Sequence, residues 1–179
     1  EDLRPKVGYA SMGVHRADMH TLLMEAVLAN DPGCLHANCE FVSLAQDDAG
    51  VTVKFANGTT ARADVLVGAD GNVSAVRSFL FPQEAPKFAG QVAFRSLIPA
   101  AAVPASIQRR VSVMSAGPGR YLLCYPLRGG KIVNLVGLVQ SNTWEAEGWS
   151  IPATKEEFAE AFEGYEPDLI SLIHNIPDG

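Results

Sequence analysis

The chain has 179 residues, enough for one domain with a substantial core or for parts of two. Its 14 basic residues against 20 acidic ones give a net charge of −6, which argues against a nucleic-acid surface, and 47% hydrophobic with 19% charged residues is ordinary for a globular protein. No apolar run approaches the ~18 residues of a membrane helix, no basic-then-apolar leader is present, and three cysteines without metal spacing (Cys34, Cys39, Cys124) fit a reducing, cytoplasmic compartment.

In chain order, "HRADMHTLLMEAVLAND" predicts a helix. Met19, Leu22, Leu23, Ala26 and Val27 recur at helical spacing, and Asn30-Asp31-Pro32-Gly33 ends it. Cys39 to Ala45 and Val51 to Phe55 read as strands, and Asn57-Gly58 between "VTVKFA" and "TTARAD" signals a type I′ hairpin. Asp64 to Gly68 reads as a short strand apolar on both faces, as in a buried parallel sheet. Ser74 to Leu80 reads as a short helix closed by Pro82, and composition shifts near "PQEAPKFAG", which suggests a crossing between lobes.

Four strands then follow, at Gln91 to Ile98, Arg110 to Ser115, Tyr121 to Leu127 and Ile132 to Ser141. Gly-Pro-Gly and Arg-Gly-Gly turns between them predict an antiparallel sheet. Two helices close the chain. The first opens with a Thr154/Glu157 capping box and ends at Gly164; the second runs from Leu169 to His174.

The stretch "VLVGADGNVSAVRS" is the densest in chemistry. A strand ending in Gly68-Ala69-Asp70-Gly71 brings the chain to a sheet edge, where α/β folds bind ligands, and the glycines let backbone amides approach one. Asp70 can accept from ligand hydroxyls, Ser74 can cap the helix, and Arg77 can pair with a carboxylate or phosphate. On the residues alone, the same stretch is equally a tight strand-to-helix turn with a surface arginine. His15, His20, His36 and His174 have no paired spacing, so no metal site is expected, and Ser74 lies outside a nucleophile elbow.

"VLVGADGNVSAVR" resembles the Asp-Gly motif of single-component flavoprotein monooxygenases, the group of p-hydroxybenzoate and salicylate hydroxylases. Asp70, Gly71, Ser74 and Arg77 fill every position of that motif. "VHRADMHTLL" is similar to the family's cofactor-contacting helix start, with Arg16 as the arginine and Met19 in place of the usual leucine. "GQVAFRSLIP" and "GRYLLCYPLRGGKIVNLVG" look like substrate-lobe strands of the salicylate hydroxylase-like branch, with Ser96 where the family usually has glycine.

The resemblance implies an α/β (α+β) fold. Residues 1–85 would form part of a Rossmann-like FAD-binding lobe, and residues 86–179 an antiparallel substrate lobe with flanking helices. Arg16, Asp70, Gly71, Ser74 and Arg77 would bind FAD, and Arg95 and Tyr125 would form the catalytic pair. If the two strand faces carrying that pair line one cavity, guanidinium and phenol converge on the substrate. NAD(P)H would be the reductant, dioxygen the oxidant through a flavin C4a-hydroperoxide, and an aromatic or polyketide-like small molecule the substrate. An epoxidase or flavin reductase on the same scaffold, or a non-catalytic truncated chain, stays open. The family's G-x-G-x-x-G unit and its Gly-Asp flavin motif do not occur here, and the chain starts at Glu1 rather than Met. It is therefore expected to be a piece of a longer protein.

Overall fold

The computed structural model describes residues 8, 13–82, 87–108, 112–142 and 151–177. Two compact units result, one formed by Leu22–Lys87 and the other by Glu1–Thr21 together with Phe88–Gly179. Helix α1 (Arg16–Asn30) runs across the division. Its alanines, leucines and methionines are good helix formers. The helix forms as its spacing predicts, yet none of its residues is buried: Met19, Leu22, Leu23 and Val27 all lie on the surface.

In the unit formed by Leu22–Lys87, strands β1 (Phe41–Asp47), β2 (Gly50–Phe55) and β3 (Thr60–Ala63) make an antiparallel sheet in the order β1-β2-β3. Val51 and Val53 of β2 point inward and are buried, while Lys54 between Val53 and Phe55 is exposed, the alternation of a one-sided sheet. Helix α2 (Ala75–Leu80) packs onto β1, with the Phe79 ring edge-on to Phe41 at 5.8 Å.

Two expectations change here. The β2–β3 hairpin forms, but its turn is not type I′, because Gly58 takes a left-handed φ of 83° and Asn57 does not. The Gly58 amide donates to the Phe55 carbonyl, and the Phe55 amide donates to that of Thr59. That pattern is a type I turn followed by a glycine bulge. The Asn57 side chain holds it, accepting from the Thr59 amide at 3.0 Å and donating to the Asn38 carbonyl at 3.1 Å. Asp64 to Gly68, expected as a buried strand, is not a strand. No other strand among the described residues pairs with it, and Val65 and Val67 are 73% and 79% exposed. An extended segment becomes a strand only when a neighbour takes its backbone hydrogen bonds.

The other unit is built on β4 (Gln91–Pro99), β5 (Val113–Gly117), β6 (Arg120–Leu127) and β7 (Ile132–Gln140). All its pairings are antiparallel, in the order β4-β7-β6-β5, as the turn residues predict. The expected strand start at Arg110 falls outside the described residues. Helices α3 (Ala105–Gln108), α4 (Lys155–Ala161) and α5 (Pro167–His174) supply the remaining layer. The inner sheet face, carrying Ile98, Leu122, Cys124 and Leu135, packs with Phe158, Phe162 and Leu172 of the helical segment into one core. Phe94 stacks on Phe158 at 4.8 Å between centroids.

The capping box at Thr154 and Glu157 forms in both directions, and Gly164 beyond the helix is left-handed with φ 85°. Arg120 secures the other end of α4. It donates to the carbonyls of Ala161 and Glu163 and lies over the Tyr165 ring, whose hydroxyl donates back to the Arg120 carbonyl at 2.9 Å.

Candidate functional site

In the Asp-Gly loop, Asp70 to Arg77 form a closed network. The Ser74 hydroxyl donates to Asp70 Oδ1 at 2.6 Å and accepts from the Arg77 amide at 2.9 Å, and the Val76 amide donates to Asp70 Oδ2 at 3.1 Å. Ser74, the N-cap of α2, is buried at 6% exposure. Its hydroxyl, then the Val76 amide, hold the Asp70 carboxyl below its usual range. The Arg77 guanidinium donates through one terminal nitrogen to the Asn72 carbonyl, which holds it to this loop.

Asp70 and Gly71 face outward. Gly71 adopts φ 84°, and a Cβ built there would meet nothing within 4 Å, so an open left-handed backbone follows the carboxylate. Gly68 has a different reason: a Cβ there would lie 2.9 Å from Val76 Cγ1, so only glycine lets α2 sit this close.

Arg16 is exposed at the start of α1. Two residues on, Asp18 takes two hydrogen bonds from Arg128, at 2.8 and 2.7 Å, while His15 Nδ1 stands 3.6 Å from its Oδ1. The Arg128 hydrogen bond is the largest influence holding the Asp18 carboxyl below its usual range. The sequence offers no spacing signal for this pair, because the turn between β6 and β7 and the helix start are remote in the chain.

The outer face of the four-stranded sheet carries the expected catalytic pair. Arg95 is opposite Val136 in the β4–β7 register, and Tyr125 is opposite Asn134 in the β6–β7 register. Strand alternation therefore puts Arg95, Asn134, Val136, Leu123 and Tyr125 on one side, opposite the buried Ile98, Leu122, Cys124 and Leu135. Two inter-strand steps across and one two-residue step along separate Arg95 from Tyr125, about 12 Å between Cα atoms.

Among the described residues, the two line different cavities. Arg95 lines an open recess of about 420 Å³ with Ser96, Leu97, Asn134, Ile176 and Pro177. Tyr125 lines a smaller cavity of about 130 Å³ that also includes Cys124, Pro126 and Gly130. The chain at Gly13 approaches Tyr125 on the outer side: a Cβ there would lie 3.0 Å from Tyr125 Cδ2 and 3.2 Å from Leu127 Cδ2. Asn134 has only a weak signal in the sequence, a lone amide at the start of an otherwise apolar stripe, Asn134, Val136 and Leu138.

Comparison with known proteins agrees with this architecture. A family profile described as FAD binding domain matches residues 5–165. The chain is 33% identical over 160 residues to a 3-amino-4-hydroxybenzoate 2-monooxygenase of Streptomyces platensis, covering 89% of this chain and 39% of that protein. It is 35% identical over 155 residues to a 3-hydroxybenzoate 6-hydroxylase of Klebsiella oxytoca, covering 86% and 38% respectively. A solved salicylate hydroxylase substrate complex superposes with a TM-score of 0.74 at 27% identity, over 90% of this chain and 43% of that one. The chain thus spans about two-fifths of the length of the curated relatives it matches. With nearly its whole length inside that profile, the chain belongs to the FAD binding domain family.

Proposed function

We propose that the whole protein is an FAD-dependent monooxygenase that hydroxylates a small aromatic acid or phenol, with NAD(P)H as reductant and dioxygen as oxidant. The observation that carries this reading is the outer sheet face, where Arg95 and Tyr125 stand on either side of an apolar centre made by Leu123 and Val136. A ring laid on that centre loses water from its faces while its polar substituents reach the two ends. The names of the relatives, two of them acting on hydroxybenzoates, agree with that substrate class. A larger polyketide-like ring is the wider version of it. An intracellular site fits the demand for a nicotinamide and the absence of disulfides among the three cysteines.

The Asp-Gly loop fits FAD by the character of its exposed residues. Asp70 keeps acceptor capacity on both oxygens beyond its internal bonds, and the open backbone at Gly71 lets a ligand approach without a Cβ in the way. These two would contact the cofactor. Ser74 and Arg77 would act on it through the loop, by fixing where Asp70 points. Arg16, exposed at a helix start, would bind an anionic group of the cofactor. FAD, when bound, supplies the redox chemistry, passing reducing equivalents from the nicotinamide to dioxygen and one oxygen atom to the ring.

The chain's own residues do the rest. The Arg95 guanidinium binds the substrate carboxylate or phenolate and holds its negative charge in place. The Tyr125 hydroxyl exchanges a proton with the ring oxygen whose electrons activate the ring. Leu123 and Val136 keep water from the reacting carbon.

Substrate-dependent NAD(P)H oxidation under labelled dioxygen tests the reading. One labelled atom in the product supports it. Oxidation with no label in any product points to a reductase, and an epoxide product to an epoxidase. Arg95→Ala should lower kcat/KM by about 10²-fold with flavin still bound. Unchanged turnover would remove Arg95 from the site.

A further inference from the structure

Among the residues of the outer sheet face, one polar side chain has no role in the reading above. Asn134 lies on β7, the strand flanked by β4 and β6. Leu97 is directly opposite it on one side and Tyr125 directly opposite on the other. Arg95, on the adjacent β4, is its diagonal neighbour, within reach of a long side chain, and both line the same 420 Å³ recess.

Asparagine is a poor choice for this place. It is depleted in strands, where its amide competes with the ladder, and an apolar residue would continue the stripe of Val136 and Leu138. Asn134 is only half-buried, and its side-chain amide makes no hydrogen bond with the described residues. A local rule is broken here with no internal compensation, a pattern that belongs to binding sites.

We propose that Asn134 is a specificity-determining residue that recognises a second polar substituent on the aromatic substrate. The inference rests on the reading of the outer face as the substrate site. With the carboxylate at Arg95 and the ring over Val136, a hydroxyl or amino group on the ring meets the amide of Asn134 before it reaches Tyr125. The amide both donates and accepts, so it serves a neutral ring hydroxyl, a phenolate or an aromatic amine. The substrate class is then an aromatic acid bearing one further hydrogen-bonding group, and the plain aromatic acid is selected against because it leaves the amide unmet.

The test measures dissociation constants of the flavin-loaded, full-length protein for 2-, 3- and 4-hydroxybenzoate and for benzoate, followed by the change in flavin absorbance. Wild type should bind at least one hydroxybenzoate about tenfold more tightly than benzoate. Asn134→Val, which suits a strand, should erase that ratio by weakening the hydroxybenzoate alone, with benzoate affinity and the melting temperature held or raised. Arg95→Ala should weaken hydroxybenzoate and benzoate together. If Arg95→Ala weakens both but Asn134→Val leaves the ratio intact, or lowers both affinities equally, the role of Asn134 is overturned and the face remains the site. If Arg95→Ala changes neither, the face is not the substrate site and both readings fall. Failure of wild type to bind any of the hydroxybenzoates, or to prefer one over benzoate, also overturns the proposal.

Discussion

Asp18 and Arg128 hold each other through two hydrogen bonds, 2.8 and 2.7 Å long, across 110 positions of sequence. The pair ties the first turn of α1 to the turn between β6 and β7. Arg128 makes it from a left-handed backbone, φ 50°, at the head of the Arg-Gly-Gly turn. A side chain at that φ is strained, and glycine is not. Arg128→Ala and Arg128→Gly therefore both lose the pair, but only alanine keeps the strain. In urea unfolding the glycine variant should be the more stable of the two. Equal midpoints would mean that the turn relaxes once the arginine is gone.

The same pair sets a pH dependence. Arg128, through its hydrogen bond, holds the Asp18 carboxyl below the ordinary 3.8. A carboxylate whose pKa is depressed on folding contributes stability above its unfolded pKa and loses it as pH falls through the folded value. The difference between wild type and Arg128→Ala should thus be constant at neutral pH and shrink at pH values below 3.8. Added salt should shrink it at neutral pH as well, because both side chains are about half exposed. A difference that persists at pH 2 would assign the effect to packing.

Ser74 is the hinge of the Asp-Gly loop, since one buried hydroxyl serves both Asp70 and the Arg77 amide. Ser74→Ala should cost about 1 kcal/mol of stability, the usual loss of an N-cap. It should also raise the Asp70 pKa towards its ordinary value, because the Ser74 hydrogen bond is the largest of the influences lowering it. NMR titration of the Asp70 carboxyl reads this directly. An unmoved pKa would mean that the Val76 amide suffices.

These loops show where sequence reading works and where it stops. The capping box at Thr154 and the four-stranded sheet were legible because their signals are local: a hydroxyl three residues before a glutamate, and alternation between glycine turns. The Asp-Gly motif was legible as a pattern and Ser74 as the cap of α2, but not the bonds from Ser74 to Asp70 and from Arg77 to the Asn72 carbonyl, which depend on which way the side chains turn. The Asn57-Gly58 pair does not by itself separate the two turn types, because both put glycine in the left-handed region and only the backbone of Asn57 and the placing of the turn tell them apart. Asp64 to Gly68 failed for another reason. Its composition suits a buried strand, but pairing is a property of neighbours that composition does not reveal.

Gly137 on β7 is a packing glycine. A Cβ there would lie 2.5 Å from Phe158 Cε2 and 2.6 Å from Phe162 Cε2. Both rings are buried in the core, so neither can turn out to solvent. Gly137→Ala should cost about 1–3 kcal/mol by overpacking, although alanine is otherwise the better strand residue. Gly137→Ala combined with Phe162→Leu should recover part of that loss, a coupling measured by a double-mutant cycle. Additive losses would show that the methyl is accommodated by backbone movement instead.

The exposed apolar surface of the Leu22–Lys87 unit predicts how this chain behaves when isolated. Leu22, Leu23 and Val27 on α1, Val65 and Val67 in the extended segment, and Phe79, Leu80 and Phe81 at the end of α2 are all exposed. So many large apolar side chains on one small unit exceed the scattered exposure usual for a monomer. The segment carrying Val65 and Val67 also presents backbone groups that no strand among the described residues takes up. The isolated 179-residue chain should therefore self-associate at micromolar concentration and bind a hydrophobic dye. Val65→Lys together with Val67→Lys should shift it towards monomer in size-exclusion chromatography, because two ammonium groups oppose stacking of like surfaces. Association that survives the double substitution would move the sticky surface to α1, where Leu22→Lys and Leu23→Lys then become the discriminating pair.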